Sequence, residues 1–180
     1  SDNTLSQIRK AFTIDFDQKY LADEITAFPY EEILKQIRKD TAINADFIEE
    51  LLNTQKDSKY SFSILSLIYP YLDYKNNNFH KDHLHPESKF SDLSDSDKTK
   101  YSWGQYNSIC NLQMLDANEN MSKNGKSLNE WVEKEVKTKD RTTFLENHLI
   151  PDVDLELNNF DNFYTSRKKI LTLKLTGLLS

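Results

Sequence analysis

Three glycines in 180 residues leave little scope for the glycine-rich loops that cradle phosphate in ATP- and dinucleotide-binding folds, and no such motif occurs. Four prolines interrupt the chain so seldom that long helices can run between them. The one cysteine, Cys110, has no partner for an internal disulfide, which fits a reducing compartment. No run approaches the roughly 18 apolar residues of a membrane span, and the start SDNTLSQIRK lacks the apolar centre of a signal peptide. The expectation is a cytoplasmic protein with no membrane partner. Positive charge is also in short supply: 23 basic residues face 29 acidic ones, a net charge of −6. Phosphate neutralisation needs clustered Lys and Arg, so any nucleic-acid contact must be local or shared with another domain.

What the chain does have is apolar mass. Hydrophobic residues make up 37% and aromatics 12%, with ten Phe and nine Tyr, which excludes a disordered polar chain despite a mean hydropathy of −0.72. Its length suits one domain, or one domain with a helical annex. Residues 1–75 read as helices. Tyr30, Ile33, Leu34 and Ile37 follow an i, i+3, i+4, i+7 pattern behind Pro29, and Phe47, Ile48, Leu51 and Leu52 mark a second helix. Tyr60 to Tyr71 is apolar nearly all round and predicts a buried helix ending near Pro70.

Past Asn76 the character changes. Phe79 to Pro86 predicts a strand or extended loop, and the Ser/Asp-rich run 91–97 offers N-caps for a helix carrying Tyr101 and Tyr106. Asn111 to Leu115 alternates like a second short strand. Ser127 and Glu130 have capping-box spacing ahead of Leu128, Trp131 and Val132. Phe144, Leu145, His148 and Leu149 mark another helix before Pro151. Phe160, Phe163, Tyr164, Ile170, Leu171, Leu175 and Leu178 mark a long last one. The expected fold is mainly α, a helical domain holding a small ββα unit, with 1–75 as a helical junction segment and 76–180 as the functional domain.

Chemistry concentrates in three places in order: Asp82-His83 followed by Pro86, Asn111 opening an apolar strand, and Asn120 ahead of Ser-Lys-Asn-Gly-Lys126. Hydrolysis of a phosphodiester needs an activated water and charge stabilisation on the phosphate, which one divalent ion and one base can supply. A carboxylate and an amide oxygen suit hard Mg²⁺ or Mn²⁺, and a neutral imidazole suits the base. Adjacent strand residues point to opposite faces, so Asp82 and His83 can serve the metal and the water from one short element. The nine residues from Asn111 to Asn120 allow a strand, a turn and a helix start to return both to that strand.

The segments DHLHPESKF (82–90), SICNLQMLDANENMSKNGKSLNEWVEKE (108–135) and FLENHLIP (144–151) resemble, in order and spacing, the HNH-type domain at the C-terminus of GmrSD-like proteins, which are modification-dependent restriction and phage-defence enzymes. More distantly, Asp82-His83, Asn111 and Asn120 match the HNH (His-Me finger) nuclease pattern. The resemblance implies a ββα-metal motif and a DNA endonuclease. In it Asp82 and Asn120 hold the metal, His83 is the general base and Asn111 orients the imidazole. It also implies an N-terminal regulatory domain preceding this one, so that the chain is the C-terminal part of a longer protein. His85 departs from the family, where an aromatic or aliphatic residue is usual.

Plainer readings stand beside these. His80, His83 and His85 could instead form a zinc site, although no CxxC pair supports it. Lys123 and Lys126 are candidates for phosphate contact, against the ordinary solvated role of helix lysines. Trp103 and Trp131 read as core anchors, Cys110 as a small buried side chain, and His148 as a helix C-terminal residue facing exposed carbonyls. The alternative function is a non-catalytic module using the same fold for DNA or subunit contact.

Overall fold

The computed structural model describes residues 45–179. The helix expected around Tyr30 to Ile37 lies outside the described residues. Within them, α1 (Ala45–Leu52) buries Ile48 and Leu52, four residues apart on one face. Helix α2 (Ser61–Ile68) stops two residues before Pro70, its end closed by Tyr69 N–H donating to the Leu65 carbonyl. This helix is not buried all round: Ile64, Leu65 and Ile68 face the core, while Phe62 and Leu67 are 43% and 45% exposed.

Strand β1 (Phe79–His83) pairs antiparallel with β2 (Leu112–Asp116), with Asp82 opposite Gln113 and His83 opposite Leu112. Between them runs a long excursion through a 3₁₀ turn (Glu87–Asp92), α3 (Asp95–Lys100), α4 (Trp103–Tyr106) and a 3₁₀ turn (Ile109–Asn111). The one helix expected to carry Tyr101 and Tyr106 is thus two. Tyr101 and Ser102 are both extended, so α3 ends at Lys100 and Ser102 caps α4 through a capping box with Gln105. Asn111 also lies outside β2, because its carbonyl and side chain engage the backbone at Leu84 and His85, beyond the last rung of the ladder.

Asp116 ends β2 and caps α5 (Ala117–Lys123) by accepting from Glu119 N–H at 2.8 Å, so the chain turns from strand to helix with no loop. The helix ends in left-handed Asn124 (φ 38°) and Gly125 (φ 71°). The capping box of Ser127 and Glu130 opens α6 (Leu128–Glu135), and Asp140 caps α7 (Arg141–Asn147). The last helix, α8 (Phe160–Leu179), buries Phe160, Phe163, Tyr164, Leu171 and Leu175, with Arg167 in the middle of the stripe; Leu178, expected in it, is 47% exposed.

Helices dominate, and the sheet among the described residues is this two-stranded ribbon. One apolar core runs from Ile48 in α1 through Leu112 and Leu115 in β2 to Leu175 in α8, so no boundary at residue 75 divides the described residues. No helix among them is long and apolar enough to cross a membrane.

Arg167 is fully buried and pairs with no carboxylate among the described residues. Its Nη1 donates to the carbonyls of His148 (3.2 Å) and Leu149 (3.1 Å), and its Nη2 to the carbonyl of Leu112 (2.7 Å) and the hydroxyl of Tyr69 (3.0 Å). Arg167→Met keeps the apolar stem and orphans the Leu112 and Leu149 carbonyls, while the His148 carbonyl keeps its bond from Tyr69. Each buried polar group left unpaired costs about 1–3 kcal/mol, so urea unfolding should show a loss of at least about 2 kcal/mol. Arg167→Lys should recover only part of it, because a point charge cannot span the fork. Unchanged stability of the Met variant would refute the role given to this residue.

Candidate active site on the hairpin

Register divides the motif residues between two faces. Asp82 and Gln113 project to the side covered by α5; His83, Lys81 and Met114 project to the other. Asp82 and His83 are therefore neighbours in sequence with different surroundings.

On the α5 side, Lys123 turns inward. Its side chain is 3% exposed, and its ammonium stands 2.8 Å from Asp82 Oδ2 and donates to the His83 carbonyl at 2.5 Å. The contact with Asp82 is a buried ion pair. Burial pulls the Lys123 pKa below its ordinary value, and the charge of Asp82 opposes that shift. Lys123, expected to contact phosphate, points inward here and not to solvent. Lys126 also folds back, donating to the Ser122 carbonyl at 3.0 Å. Asn120 is half-buried on α5, three residues before Lys123 and so on the same face of the helix. Gln113, opposite Asp82, is wholly buried with neither amide atom hydrogen-bonded.

On the other face the His83 ring, 2% exposed, meets Asn107: Nε2 lies 2.9 Å from Asn107 Oδ1. An amide oxygen only accepts, so Nε2 carries the hydrogen and Nδ1 keeps its lone pair. Burial, followed by the positive charge of Lys56, lowers the His83 pKa against the opposing hydrogen bond to Asn107, so the ring is neutral at pH 7. Trp103 and Tyr106 flank it with ring centroids 6.2 Å and 6.4 Å away. Trp103 is not the core anchor expected of it, being 37% exposed beside His83, whereas Trp131 is fully buried.

Asn111 does not touch the imidazole. Its Oδ1 accepts from His85 N–H (3.0 Å), its Nδ2 donates to the carbonyls of His85 and Tyr106 (both 3.1 Å), and its own carbonyl accepts from Leu84 N–H (2.8 Å). It pins the chain just past β1 and thereby sets the backbone behind His83, while the group that touches the ring is Asn107. The sequence reading missed Asn107. It lies 24 residues from His83 and next to the quoted segment, with nothing local to mark it.

His85 is a core histidine, 1% exposed, edge-on to Phe163 and Phe160 at 4.5 Å and 5.4 Å, with Nε2 unpartnered. It is sealed from any substrate. His80 is exposed and shares the Asp82 face, so the three histidines do not converge; among the described residues no three His, Cys, Asp or Glu side chains do. Cys110 is buried as expected, and burial pushes its thiol up to about 11.

The Asp82 carboxylate and the His83 carbonyl are oxygens of the type that holds a hard cation, and the Lys123 ammonium occupies them here. A cavity of about 440 Å³ lies elsewhere, lined in part by Tyr71, Met114, Glu119, Phe144 and His148. There His148 caps α7 with its ring against Trp131 and Phe144 and its Nε2 3.6 Å from Glu119. It is not a charge on the helix carbonyls, since burial drives its pKa down to about 4. No protein-family model and no curated protein matches the chain.

Two buried neutral histidines make the fold acid-sensitive. Burial, helped by Lys123 and Arg167, holds His85 down to about 3, and burial with Lys139 and Arg167 holds His148 down to about 4, against 6.5 ordinarily. The unfolded chain takes up these protons first as pH falls, so their contribution is complete above about pH 6.5 and is lost toward the folded values. Each histidine contributes a slope of about 1.4 kcal/mol per pH unit in that window. Urea midpoints should be level from pH 8 to 7 and fall from 6.5 to 5, before carboxylates titrate, with a shallower fall in His148→Phe. A level midpoint down to pH 5 would exclude buried neutral histidines.

Proposed function

We propose that the chain carries an HNH-type, metal-dependent endonuclease site that hydrolyses DNA phosphodiester bonds in restriction or phage defence. The observation that carries this reading is His83: a neutral imidazole, held by Asn107 in the Nε2–H tautomer, on the same strand as a carboxylate that faces a helix across an oxygen-lined position. That strand, its antiparallel partner and α5 have the order and contacts of a ββα unit.

In this reading His83 Nδ1 accepts the proton of the attacking water. Its lowered pKa keeps it free to do so at neutral pH. Asn107 fixes which nitrogen is basic, and Asn111 fixes the backbone from which the ring hangs. Asp82 and Asn120 would hold Mg²⁺ or Mn²⁺, which supplies positive charge to the scissile phosphate and the departing 3′ oxygen. The exposed face of Trp103 supports a base stacking beside His83, and Lys56 adds local positive charge that the net charge of −6 conceals.

Plasmid cleavage with Mg²⁺ or Mn²⁺ tests this. His83→Ala should lose about 10²- to 10⁴-fold in rate while remaining folded. Asn107→Leu should lose about 10- to 100-fold, in line with the usual effect of removing a group that orients a histidine. Asn107→Asp should move the acidic limb of the pH–rate profile upward, because a carboxylate favours the imidazolium; a purely structural Asn107 would leave that limb in place. Exposed Lys137→Ala should cleave like the native chain. If the native protein shows no cleavage with either ion, the reading fails and a non-catalytic DNA- or subunit-binding module takes its place.

A further inference from the structure

The position between Asp82 and α5 already contains a cation. The Lys123 ammonium lies 2.8 Å from Asp82 Oδ2 and 2.5 Å from the His83 carbonyl, inside a protein layer that leaves its side chain 3% exposed. Surface lysines keep their ammonium in water; this one has exchanged hydration for two protein oxygens. Those contacts do not exhaust the site. Gln113, opposite Asp82 on the same face and wholly buried, leaves both its amide oxygen and its amide nitrogen unpartnered. Buried polar atoms in native proteins are almost always paired. A face with more oxygen than one ammonium uses is suited to an ion of higher charge and larger coordination number.

We propose that Lys123 and a divalent ion are alternative occupants of one oxygen-lined position formed by Asp82, the His83 carbonyl and Gln113, so that this lysine sets the metal affinity of the site. The proposal rests on the reading of Asp82 as a metal ligand. An ion within bonding distance of Asp82 Oδ2 and an ammonium 2.8 Å from the same oxygen would repel as like charges in a poorly solvated space. Lys123 is the last residue of α5, next to left-handed Asn124 and Gly125, and its side chain can swing out without unwinding the helix interior. Binding of the ion therefore displaces the ammonium, and the apparent affinity falls by the strength of the lysine's own hold on Asp82.

Mn²⁺ binding to the full chain, followed by electron paramagnetic resonance, tests this without reference to cleavage. Lys123→Met, which keeps the apolar stem and removes the charge, should bind Mn²⁺ at least about tenfold more tightly than the native protein. Adding Asp82→Asn should abolish that gain. Equal or weaker binding by Lys123→Met, with the native protein binding measurably, overturns the competition and leaves the metal reading standing. Binding by neither protein overturns both. Should the Met variant fail to fold, nitrogen-15 NMR of the native protein's lysine ammonium groups decides the matter. The buried Lys123 signal should exchange slowly in ion-free protein and move to a solvent-like, fast-exchanging state as Mg²⁺ is added. A signal unmoved at saturating Mg²⁺ overturns the proposal.

Discussion

Arg167 is the interaction on which the rest of the fold depends. A charge buried without a carboxylate among the described residues is costly, and here four acceptors around the two terminal nitrogens offset the cost while Nε stays unpartnered. Its acceptors come from the start of β2, the end of α2 and the C-terminal turn of α7, so one side chain from α8 ties together segments far apart in sequence. The His148 and Leu149 carbonyls lie at a helix C-terminus, where partial negative charge collects, which lets dipoles stand in for a counter-ion. Tyr69 closes the cluster by donating to the same His148 carbonyl at 3.1 Å. With Leu112 held in this way, the ladder that places Gln113 opposite Asp82 has its register set at one end.

The second constraint is at the other end of the same rung. Asn111 spends its side chain on the backbone of His85 and Tyr106. The chain is thereby fixed where it leaves β1, and the excursion that follows is free to return as α4, which delivers Asn107 and Trp103 to His83. The two faces of one short strand then have opposite electrostatics. One holds a carboxylate satisfied by a buried ammonium; the other holds an imidazole kept uncharged.

Much of the fold was legible in the sequence. The Ser127/Glu130 capping box, the two short strands and the apolar stripe of the last helix rest on local pattern, and local pattern is what a sequence displays. The stripe was read with a gap at position 167, because a charged residue does not count as apolar, and there the fold had its central clamp. For the candidate site, the sequence offered names and not an arrangement. Asp82, His83, Asn111 and Asn120 lie on or beside the ββα unit, yet their contacts follow from register and from the long excursion, which no local spacing encodes. Lys123 was read as a phosphate contact because lysine on a helix end is ordinarily solvated; whether a long side chain turns inward is decided by what lies under the helix. His85 looked like a rival to His83 only until α8 covered it with Phe160 and Phe163.

The partner of His83 matters for its charge as well as its position. A carboxylate at Nε2 would fix the same tautomer and would also stabilise the imidazolium, lifting the pKa into the physiological range. An amide fixes the tautomer and adds no charge, so burial and the nearby Lys56 prevail and the ring stays neutral. A ring of this kind is a weaker base than a carboxylate-paired one, but with its pKa held below the ordinary value the proton-accepting form predominates at pH 7. In the proposed endonuclease the amide would have a further merit: it brings no second negative charge against an anionic substrate. Across the strand the charge of Asp82 is matched by Lys123.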